Sequence, residues 1–228
     1  MFELLLYQEK GDFIMKIGKT RIFSRLLYNI TQEKVYKRIL STFVIFYLLF
    51  FIVVILSYFL LPEGFLKSKN SISDFEASKN IGFQALQIFS YNCISVVLLI
   101  VGNFLSPSKE DGLYLPYGYL GLMVQFILNG ITLGTWSFTE VTQSAPALSV
   151  RLLRTFDIFH KAGIWEMTGQ IIIVSALANI AIIRTNCKET TNRKRKEWYP
   201  TKIEIVIAFF GLSLMIAGAI IESMAILS

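Results

Sequence analysis

Residues 39–61 read ILSTFVIFYLLFFIVVILSYFLL, an apolar segment of twenty-three residues that contains no charged side chain. A helix of about 20 apolar residues is long enough to cross the hydrocarbon core of a bilayer. The segment is too long for the apolar part of a cleaved signal peptide, and it begins almost forty residues into the chain. It therefore predicts a first membrane-spanning helix that the mature protein keeps.

Four further apolar segments of similar length follow the first. They contain no Lys, Arg, Asp or Glu except near an end, and they cover residues 81–105, 113–138, 164–183 and 203–227. The chain of 228 residues is 54% apolar and 17% charged, whereas soluble domains are about 45–50% apolar and about 25% charged. We therefore predict an all-α integral membrane protein, with a single domain over residues 1–228 and five transmembrane helices. This prediction excludes a soluble enzyme and any large domain outside the membrane.

The basic residues are distributed unevenly between the connections of these five segments. With the amino terminus in the cytoplasm, sixteen Lys and Arg residues lie on the cytoplasmic side and six lie on the outer side. Because cytoplasmic loops carry the excess of basic residues, this distribution predicts a cell-membrane protein with a cytoplasmic amino terminus and an extracellular carboxy terminus. The formal charge of +6 then comes from two cytoplasmic segments. It favours contact with anionic lipids over a nucleic-acid partner.

Two amphipathic segments accompany the predicted spans. Within the cytoplasmic residues 1–38, apolar side chains recur at helical spacing over Ile22–Ile30, and Arg21 and Arg25 occupy the other face. This pattern predicts a helix in the plane of the lipid headgroups, which is either a lipid anchor or a docking surface for a partner. Residues 147–159 show a similar pattern on the outer side. They predict an amphipathic helix that lies flat or enters the bilayer before the fourth span.

Polar side chains at membrane depth are the candidate functional residues, because an unpaired polar group in hydrocarbon is costly. The candidates for a translocation path are Glu166, Gln170, Gln84, Gln87, Asn92, Gln125 and Asn129. Gln84, Gln87 and Tyr91 share one helical face. Glu166 and Gln170 are one helical turn apart. The amides either line such a path or hydrogen-bond between helices and hold the bundle together.

Glu166 is harder than the amides to assign to a structural role. It follows Trp165 near the outer end of the fourth predicted span. It either faces a water-filled cavity, caps the start of its helix, or binds a cationic group. Glu222 lies near the outer end of the fifth span, and we expect it to reach water.

Small residues predict where the helices approach each other closely. Gly130 and Gly134 are one turn apart in the third span, and Gly218 lies among small residues in the fifth. Gly163 precedes the fourth span. We expect these four glycines to serve helix packing.

The sequence contains no recognisable catalytic or nucleotide-binding motif. Residues 11–20 end like a phosphate-binding loop, but Phe13 stands where that loop needs its first glycine. The single histidine, His160, and the two cysteines argue against a zinc site. No Gly-x-Ser-x-Gly sequence is present. We expect the chain to be no enzyme and to bind no metal or cofactor.

Two blocks of sequence resemble the stage II sporulation protein M family of bacterial and archaeal integral membrane proteins. Residues 88–92 and 129–134 are similar to the family's asparagine-containing helix and to its Asn-Gly-x-x-x-Gly helix. Residues 160–166 are similar to its His-Gly-Ile-x-Glu signature, although two extra residues separate the histidine from the glycine here. The positions that match this signature are Gly163, Ile164 and Glu166. The resemblance covers about residues 88–181.

The resemblance implies a non-catalytic membrane component that works with other proteins. Family members belong to sporulation or envelope-remodelling assemblies, and relatives accompany the secretion of bacteriocin peptides and immunity to them.

We hypothesise that the chain is the transmembrane permease subunit of an ABC-type exporter of a peptide or amphiphile, energised by a cytoplasmic ATPase subunit on a separate chain. Five spans form a thin bundle, so a homodimer with the path between its two copies is expected. The candidate contacts with the ATPase are Pro107, Lys109, Glu110, Asp111, Arg21 and Arg25. The alternatives are a non-transporting scaffold in a cell-envelope or sporulation complex and a bacteriocin-type immunity protein.

Overall fold

A computed structural model describes residues 28–67, 80–107, 115–137, 147–158, 163–185, 190–192, 194 and 198–227. The helices are α1 (Val35–Leu60), α2 (Ile81–Asn103), α3 (Tyr117–Gly134), α4 (Leu148–Ile158), α5 (Ile164–Ala176) and α6 (Lys202–Leu227). The strands are β1 (Leu105–Pro107), β2 (Ile183–Thr185) and β3 (Thr190–Asn192). The predicted helical class is therefore confirmed, and α1, α2 and α6 are each long and apolar enough to cross a membrane.

Contacts between side chains show how the five apolar helices are oriented within the bundle. Residues near the start of α1 meet the end of α5, because Arg38 donates to the carbonyl of Ser175. Helix α5 also runs antiparallel to α6, since Gly169 faces Gly211 and Glu166 lies against Gly218. In contrast, α1 and α3 are parallel. Successive apolar helices thus run in opposite directions.

Helix α5 occupies the centre of the bundle and contacts α1, α2, α3 and α6. Every residue from Gly169 to Ala176 is buried. The side chain of Ile171 joins a core with Phe50 of α1 and with Leu122 and Phe126 of α3. A second cluster joins α5 to α2 and α6 through Ile173, Val96 and Met215. The apolar residues of α5 are therefore buried by other helices rather than by lipid.

The fourth predicted span, residues 164–183, is wrong in its length. Helix α5 has 13 residues and ends at Ala176. A 3-10 turn at Ala178–Ile180 follows, and the chain then enters β2. Side chains of α1 and α2 donate hydrogen bonds to its last carbonyl groups, contacts that no local sequence pattern indicates.

A small sheet that the sequence did not predict lies beyond the ends of α2 and α5. Strand β2 pairs parallel with β1 and antiparallel with β3. The carbonyl of Phe104 accepts hydrogen bonds from the amides of Ile182 and Ile183, at 2.9 and 3.1 Å. The second span, predicted to reach residue 105, therefore ends at Asn103, because Leu105 enters β1. Strands of three residues give no alternating pattern that a sequence could reveal.

The ends of the other predicted segments differ more modestly. Helix α3 begins at Tyr117 and ends at Gly134, inside the predicted range 113–138. Helix α6 matches the predicted range 203–227 within one residue. Helix α1 begins at Val35 rather than at residue 39. Arg38, assigned from the sequence to a cytoplasmic segment, is therefore part of the first turn of a bundle helix.

The two amphipathic segments are only partly described. Helix α4 lies within the predicted range 147–159. Of the predicted amino-terminal helix, residues 22–27 lie outside the described residues, and residues 28–30 are helical. Ile30 is buried in the main core, and its carbonyl accepts a hydrogen bond from the Tyr119 hydroxyl at 2.8 Å. The chain just before α1 thus packs into the bundle.

Candidate functional site

The carboxy-terminal end of α5 lies inside the protein, where its last four carbonyl groups need partners from elsewhere. The Ile173 carbonyl accepts from the amide of Leu177 at 3.0 Å. Asn103 of α2 donates its side-chain amide to the Val174 carbonyl, also at 3.0 Å. Arg38 of α1 donates to the next two carbonyls, those of Ser175 (2.5 Å) and Ala176 (3.0 Å). The amide of Leu177 also donates to the Ser175 carbonyl. All four carbonyls are therefore satisfied, and Arg38 contributes to two of them.

The charge of Arg38 is balanced in the same place. Its side chain is 0% exposed and lies 2.9 Å from Glu204 of α6, which is also buried. The other carboxylate oxygen of Glu204 accepts hydrogen bonds from the amide and the hydroxyl of Thr201, at 2.8 and 3.1 Å. A cation also interacts favourably with the negative end of a helix dipole. We refer to Arg38, Asn103 and Glu204 together as the α5 clasp.

The amino-terminal end of α5 carries the acidic side chain that the sequence singled out. Gly163 is the N-cap of the helix, and Glu166 lies in the first turn. Carboxylate Oε1 of Glu166 is inaccessible to solvent and has no hydrogen-bond partner among the described residues. Gly218 of α6 packs against this turn, since a Cβ atom there would lie 3.0 Å from Cγ of Glu166. A half-buried carboxylate with an unused acceptor can bind a cationic group.

Glu222 lies one turn beyond Gly218 on α6. It is half-buried, and the expectation that it reaches water stays a prediction. Because Glu166 packs against Gly218, the two acidic side chains lie on neighbouring turns of the α5–α6 contact. Gly218 is nine residues from the end of α6, which corresponds to roughly 14 Å at 1.5 Å per residue. Glu166, which packs against Gly218, therefore does not lie level with the carboxy-terminal end of α6.

The predicted path residues lie on three helices and differ widely in burial. Gln170 of α5 and Gln84 of α2 are buried, and Gln84 is 1% exposed. Gln87 and Asn92 of α2 and Gln125 of α3 are half-buried. Asn129 of α3 is exposed. The structure therefore does not place all seven side chains inside one copy of the chain.

Three of the four predicted packing glycines, Gly130, Gly134 and Gly218, lie where helices approach closely. A Cβ atom at Gly134 would collide with the Ser57 side chain and lie 2.5 Å from the Val54 carbonyl oxygen. Gly130, one turn earlier, lies against Phe50 and Val53 of the same helix, α1. These contacts let α1 and α3 pack with little space between their backbones.

A second buried arginine, which the sequence reading missed, lies at the opposite end of the bundle from the α5 clasp. Arg151 of α4 is 1% exposed and donates to the Gly134 carbonyl and to Glu63, each at 2.5 Å. Its guanidinium group also lies 4.7 Å from the centre of the Tyr58 ring and 5.9 Å from that of Trp136. Arg151 thereby fastens α4 onto the ends of α1 and α3.

Most of the predicted ATPase contacts lie outside the described residues. These are Lys109, Glu110, Asp111, Arg21 and Arg25, and His160 lies outside as well. Pro107 is described and ends β1, opposite Thr185. Strand β1 is at the edge of the sheet, where a residue without an amide hydrogen is tolerated.

The described residues do not suggest a catalytic centre. Among them, no group of three or more His, Cys, Asp or Glu side chains could hold a metal ion. Comparisons with protein-family models, with curated proteins and with solved structures found no match. The resemblance to the stage II sporulation protein M family thus rests on the sequence motifs alone.

Proposed function

We propose that the chain is the transmembrane permease subunit of an ABC-type exporter of a peptide or amphiphile. The observation that supports transport is α5, a helix of 13 residues and roughly 20 Å that ends inside the bundle. Interrupted helices occur at membrane depth only where protein or a water-filled cavity surrounds their free ends. Transporters use such helices to form binding sites within the bilayer. A protein that serves only as a membrane anchor does not require an interrupted helix.

The proposed topology has five membrane crossings, a cytoplasmic amino terminus and an extracellular carboxy terminus. The alternating directions of α1, α2, α3, α5 and α6 support it. In this arrangement the α5 clasp lies at the cytoplasmic end of the bundle, and Glu166 lies in the outer half. Helix α5 is the fourth crossing, and the 3-10 turn and β2 continue its path to the cytoplasmic side.

The proposed role of Glu166 is to bind a cationic group of the cargo. In the proposed topology Glu166 lies in the outer half of the bundle, a position that suits release to the outside. The unpaired Oε1 atom supports this role, because it is a hydrogen-bond acceptor that no described residue uses. The match of Gly163 and Glu166 to the stage II sporulation protein M signature is consistent with a shared functional position.

The energy source in this proposal is a cytoplasmic ATPase on a separate chain, because the sequence has no phosphate-binding loop of its own. The complex would contain two copies of the permease subunit and two ATPase subunits. The segments that would contact the ATPase are the residues before α1 and the connection that begins at Pro107.

A scaffold in a cell-envelope complex is the second candidate, and the two buried arginines favour it. Arg38 fastens three helices at one end, and Arg151 fastens α4 at the other. A bundle held at both ends suits a static assembly role. In this role Glu166 would contact a partner protein. An immunity protein would instead bind a toxic peptide without any energy source.

Affinity purification of the tagged full-length chain from its native cells, in a mild detergent, tests the proposal. We expect a nucleotide-hydrolysing subunit to copurify in equal amount, and ATP hydrolysis by the complex. Deleting the gene of that subunit should abolish the export or resistance phenotype. Copurification of wall-lytic enzymes without an ATPase would favour the scaffold. Protection that persists after deletion of every candidate ATPase would favour immunity.

A further inference from the structure

The outward faces of α1 and α6 are suited to lipid through the middle of each helix. Both helices are long and apolar enough to cross a membrane. Val44 and Leu48 of α1 are exposed, and so are Val206 and Phe209 of α6. Lipid tails are as apolar as these side chains, so acyl chains can cover both faces.

Each of these faces ends in a lysine at the clasp end of the bundle, which is the end that holds the α5 clasp. Lys37 is exposed and precedes Val44 by seven residues, so the two side chains lie on the same side of α1. Lys202 is exposed and precedes Val206 by four residues, so these two lie on the same side of α6. A lysine in such a position can lay its methylene groups along apolar surface and hold its ammonium group at the lipid headgroups.

The same two faces end in apolar side chains at the opposite end of the bundle. Phe59 follows Leu48 by eleven residues on α1, and Met224 follows Val206 by eighteen residues on α6. Both Phe59 and Met224 are exposed. The two ends of the bundle therefore present different chemistry to the edge of the membrane.

Tyrosines with exposed side chains show the same asymmetry. Four of the five that are exposed in the described part of the chain lie at the clasp end: Tyr28, Tyr36, Tyr117 and Tyr199. Tyr117 begins α3, and the start of α3 lies at this end because Tyr119 donates to the Ile30 carbonyl just before α1. The fifth, Tyr91, lies midway along α2. Tyrosine is enriched at the headgroup level of membranes, where its ring has apolar neighbours and its hydroxyl has polar ones.

The clasp end is also strongly positive. Four lysines there are exposed, namely Lys34, Lys37, Lys194 and Lys202. Lys194 belongs to this end because it follows β3, in the sheet beyond α2 and α5. Glu33 is the one exposed acidic side chain that the structure describes here. At the opposite end, the exposed charges of the described residues are those of Glu63 and Lys67, which cancel. We call the four lysines and the four tyrosines the clasp-end belt.

We propose that the clasp-end belt binds the headgroups of anionic phospholipids, whose acyl chains lie along the outward faces of α1 and α6. An anionic leaflet attracts each basic residue near its surface, and the attraction falls off within a Debye length. Lipid suits this belt better than an acidic protein does, because Lys37 and Lys202 lie on the same helix sides as the lipid-facing residues. The inference concerns lipid contact alone and holds whether or not the chain transports a substrate.

Electron spin resonance of spin-labelled lipids tests this contact. The full-length chain would be reconstituted into phosphatidylcholine vesicles with a trace of phosphatidylglycerol or phosphatidylcholine that carries a nitroxide on an acyl chain. The motionally restricted fraction of the label reports the lipids in contact with the protein. We expect a several-fold preference for the phosphatidylglycerol label. Equal restricted fractions for the two labels would overturn the proposal, and an acidic protein would then be the better candidate to cover the belt.

Two triple variants with the same change of charge locate the contact. The substitutions Lys37→Gln, Lys194→Gln and Lys202→Gln remove three charges from the belt. The matched control carries Lys67→Gln, Lys69→Gln and Lys79→Gln, in the connection between α1 and α2 at the opposite end. The belt variant should lose most of the preference for phosphatidylglycerol, whereas the control should keep it. An equal loss in the two variants would contradict the proposal, because net charge rather than position would then decide which lipid is bound.

Ionic strength provides an independent measurement on the wild-type chain. The Debye length is about 3 Å in 1 M salt, so 1 M NaCl should abolish most of the preference. A preference that is unchanged in 1 M NaCl would contradict a contact between lysines and lipid phosphates. The unfolding midpoint of the belt variant, followed by tryptophan fluorescence, should stay near that of wild type, because the three substituted lysines are exposed. None of these measurements depends on an ATPase or on a transport assay.

Discussion

Replacing Arg38 by methionine should strongly destabilise the bundle. The substitution removes the donor to the carbonyls of Ser175 and Ala176 and leaves the buried carboxylate of Glu204 without its counter-ion. Breaking a buried ion pair from one side costs about 3–5 kcal/mol. The Ala176 carbonyl, which loses its donor, adds about 1–3 kcal/mol to this cost. We therefore take about 3–5 kcal/mol as the lower range of the effect.

The measurement is thermal unfolding of the purified chain in detergent, followed by the intrinsic fluorescence of its three tryptophans. For a chain of this size, 1 kcal/mol corresponds to about 2–4 °C in the unfolding midpoint. Arg38→Met should thus lower the midpoint by about 6–20 °C. Arg38→Lys should recover only part of the loss, because an ammonium group lacks the planar set of donors that reaches several acceptors.

A double-mutant cycle with Glu204→Met provides the control. The double variant Arg38→Met and Glu204→Met should be more stable than Arg38→Met alone, because no unpaired charge remains buried. Additive effects in the cycle, or a midpoint for Arg38→Met within about 3 °C of wild type, about 1 kcal/mol, would refute the reasoning. The end of α5 would then be held by other contacts.

Three further predictions concern the other contacts of the bundle. Gly134→Ala should lower the free energy of unfolding by about 1–3 kcal/mol through overpacking, measured as a lower unfolding midpoint. Gly82→Ala, at an exposed position, should change the midpoint little. Equal effects of the two substitutions would exclude close packing as the cause. Arg151→Met should lower the free energy of unfolding by about 1–3 kcal/mol, because a buried carbonyl loses its hydrogen-bond donor. Glu63→Gln, on the 65% exposed partner, should lower it by no more than about 1 kcal/mol. A larger loss for Glu63→Gln than for Arg151→Met in a denaturation assay would contradict the structure. Glu166→Gln and Glu166→Ala should each reduce export or resistance several-fold at normal membrane abundance, and full activity in both would remove Glu166 from the site.

The apolar segments could be predicted from the sequence, and their ends only in part. The range 203–227 matches α6 because its length, apolar character and flanking charges all agree. The end of α5 could not be predicted, since Ala176, Leu177 and Ala178 contain no residue that breaks a helix. A carbonyl at this end, that of Ser175, accepts a hydrogen bond from Arg38, which lies 137 residues earlier in the chain. A long-range contact of this kind leaves no local pattern.

For a related reason, the sequence predicted Glu166 in the candidate site but did not predict the two buried arginines. Glu166 could be found because a carboxylate inside an apolar segment is rare and costly. Arg38 and Arg151 were assigned to segments outside the membrane, because a charge at the edge of an apolar run normally reaches water. The sequence did contain one indication that Arg38 could be paired. If the five helices alternate in direction, Arg38 and Glu204 lie at the same end of the bundle. The sequence contains no such indication for Arg151. The amphipathic pattern of α4 predicts that Arg151 lies on the polar face of that helix.

The proposed crossing of the membrane by α6, from the cytoplasm to the outside, can be measured with two single-cysteine chains. One retains Cys187, in the connection between β2 and β3, and carries Cys93→Ser. The other carries Ser228→Cys with both native cysteines replaced by serine. With a membrane-impermeant maleimide on intact cells, Ser228→Cys should be labelled, and Cys187 should be labelled only after permeabilisation. Labelling of both thiols from the same side would contradict the five-crossing topology and, with it, the proposed position of Glu166 in the outer half of the bilayer.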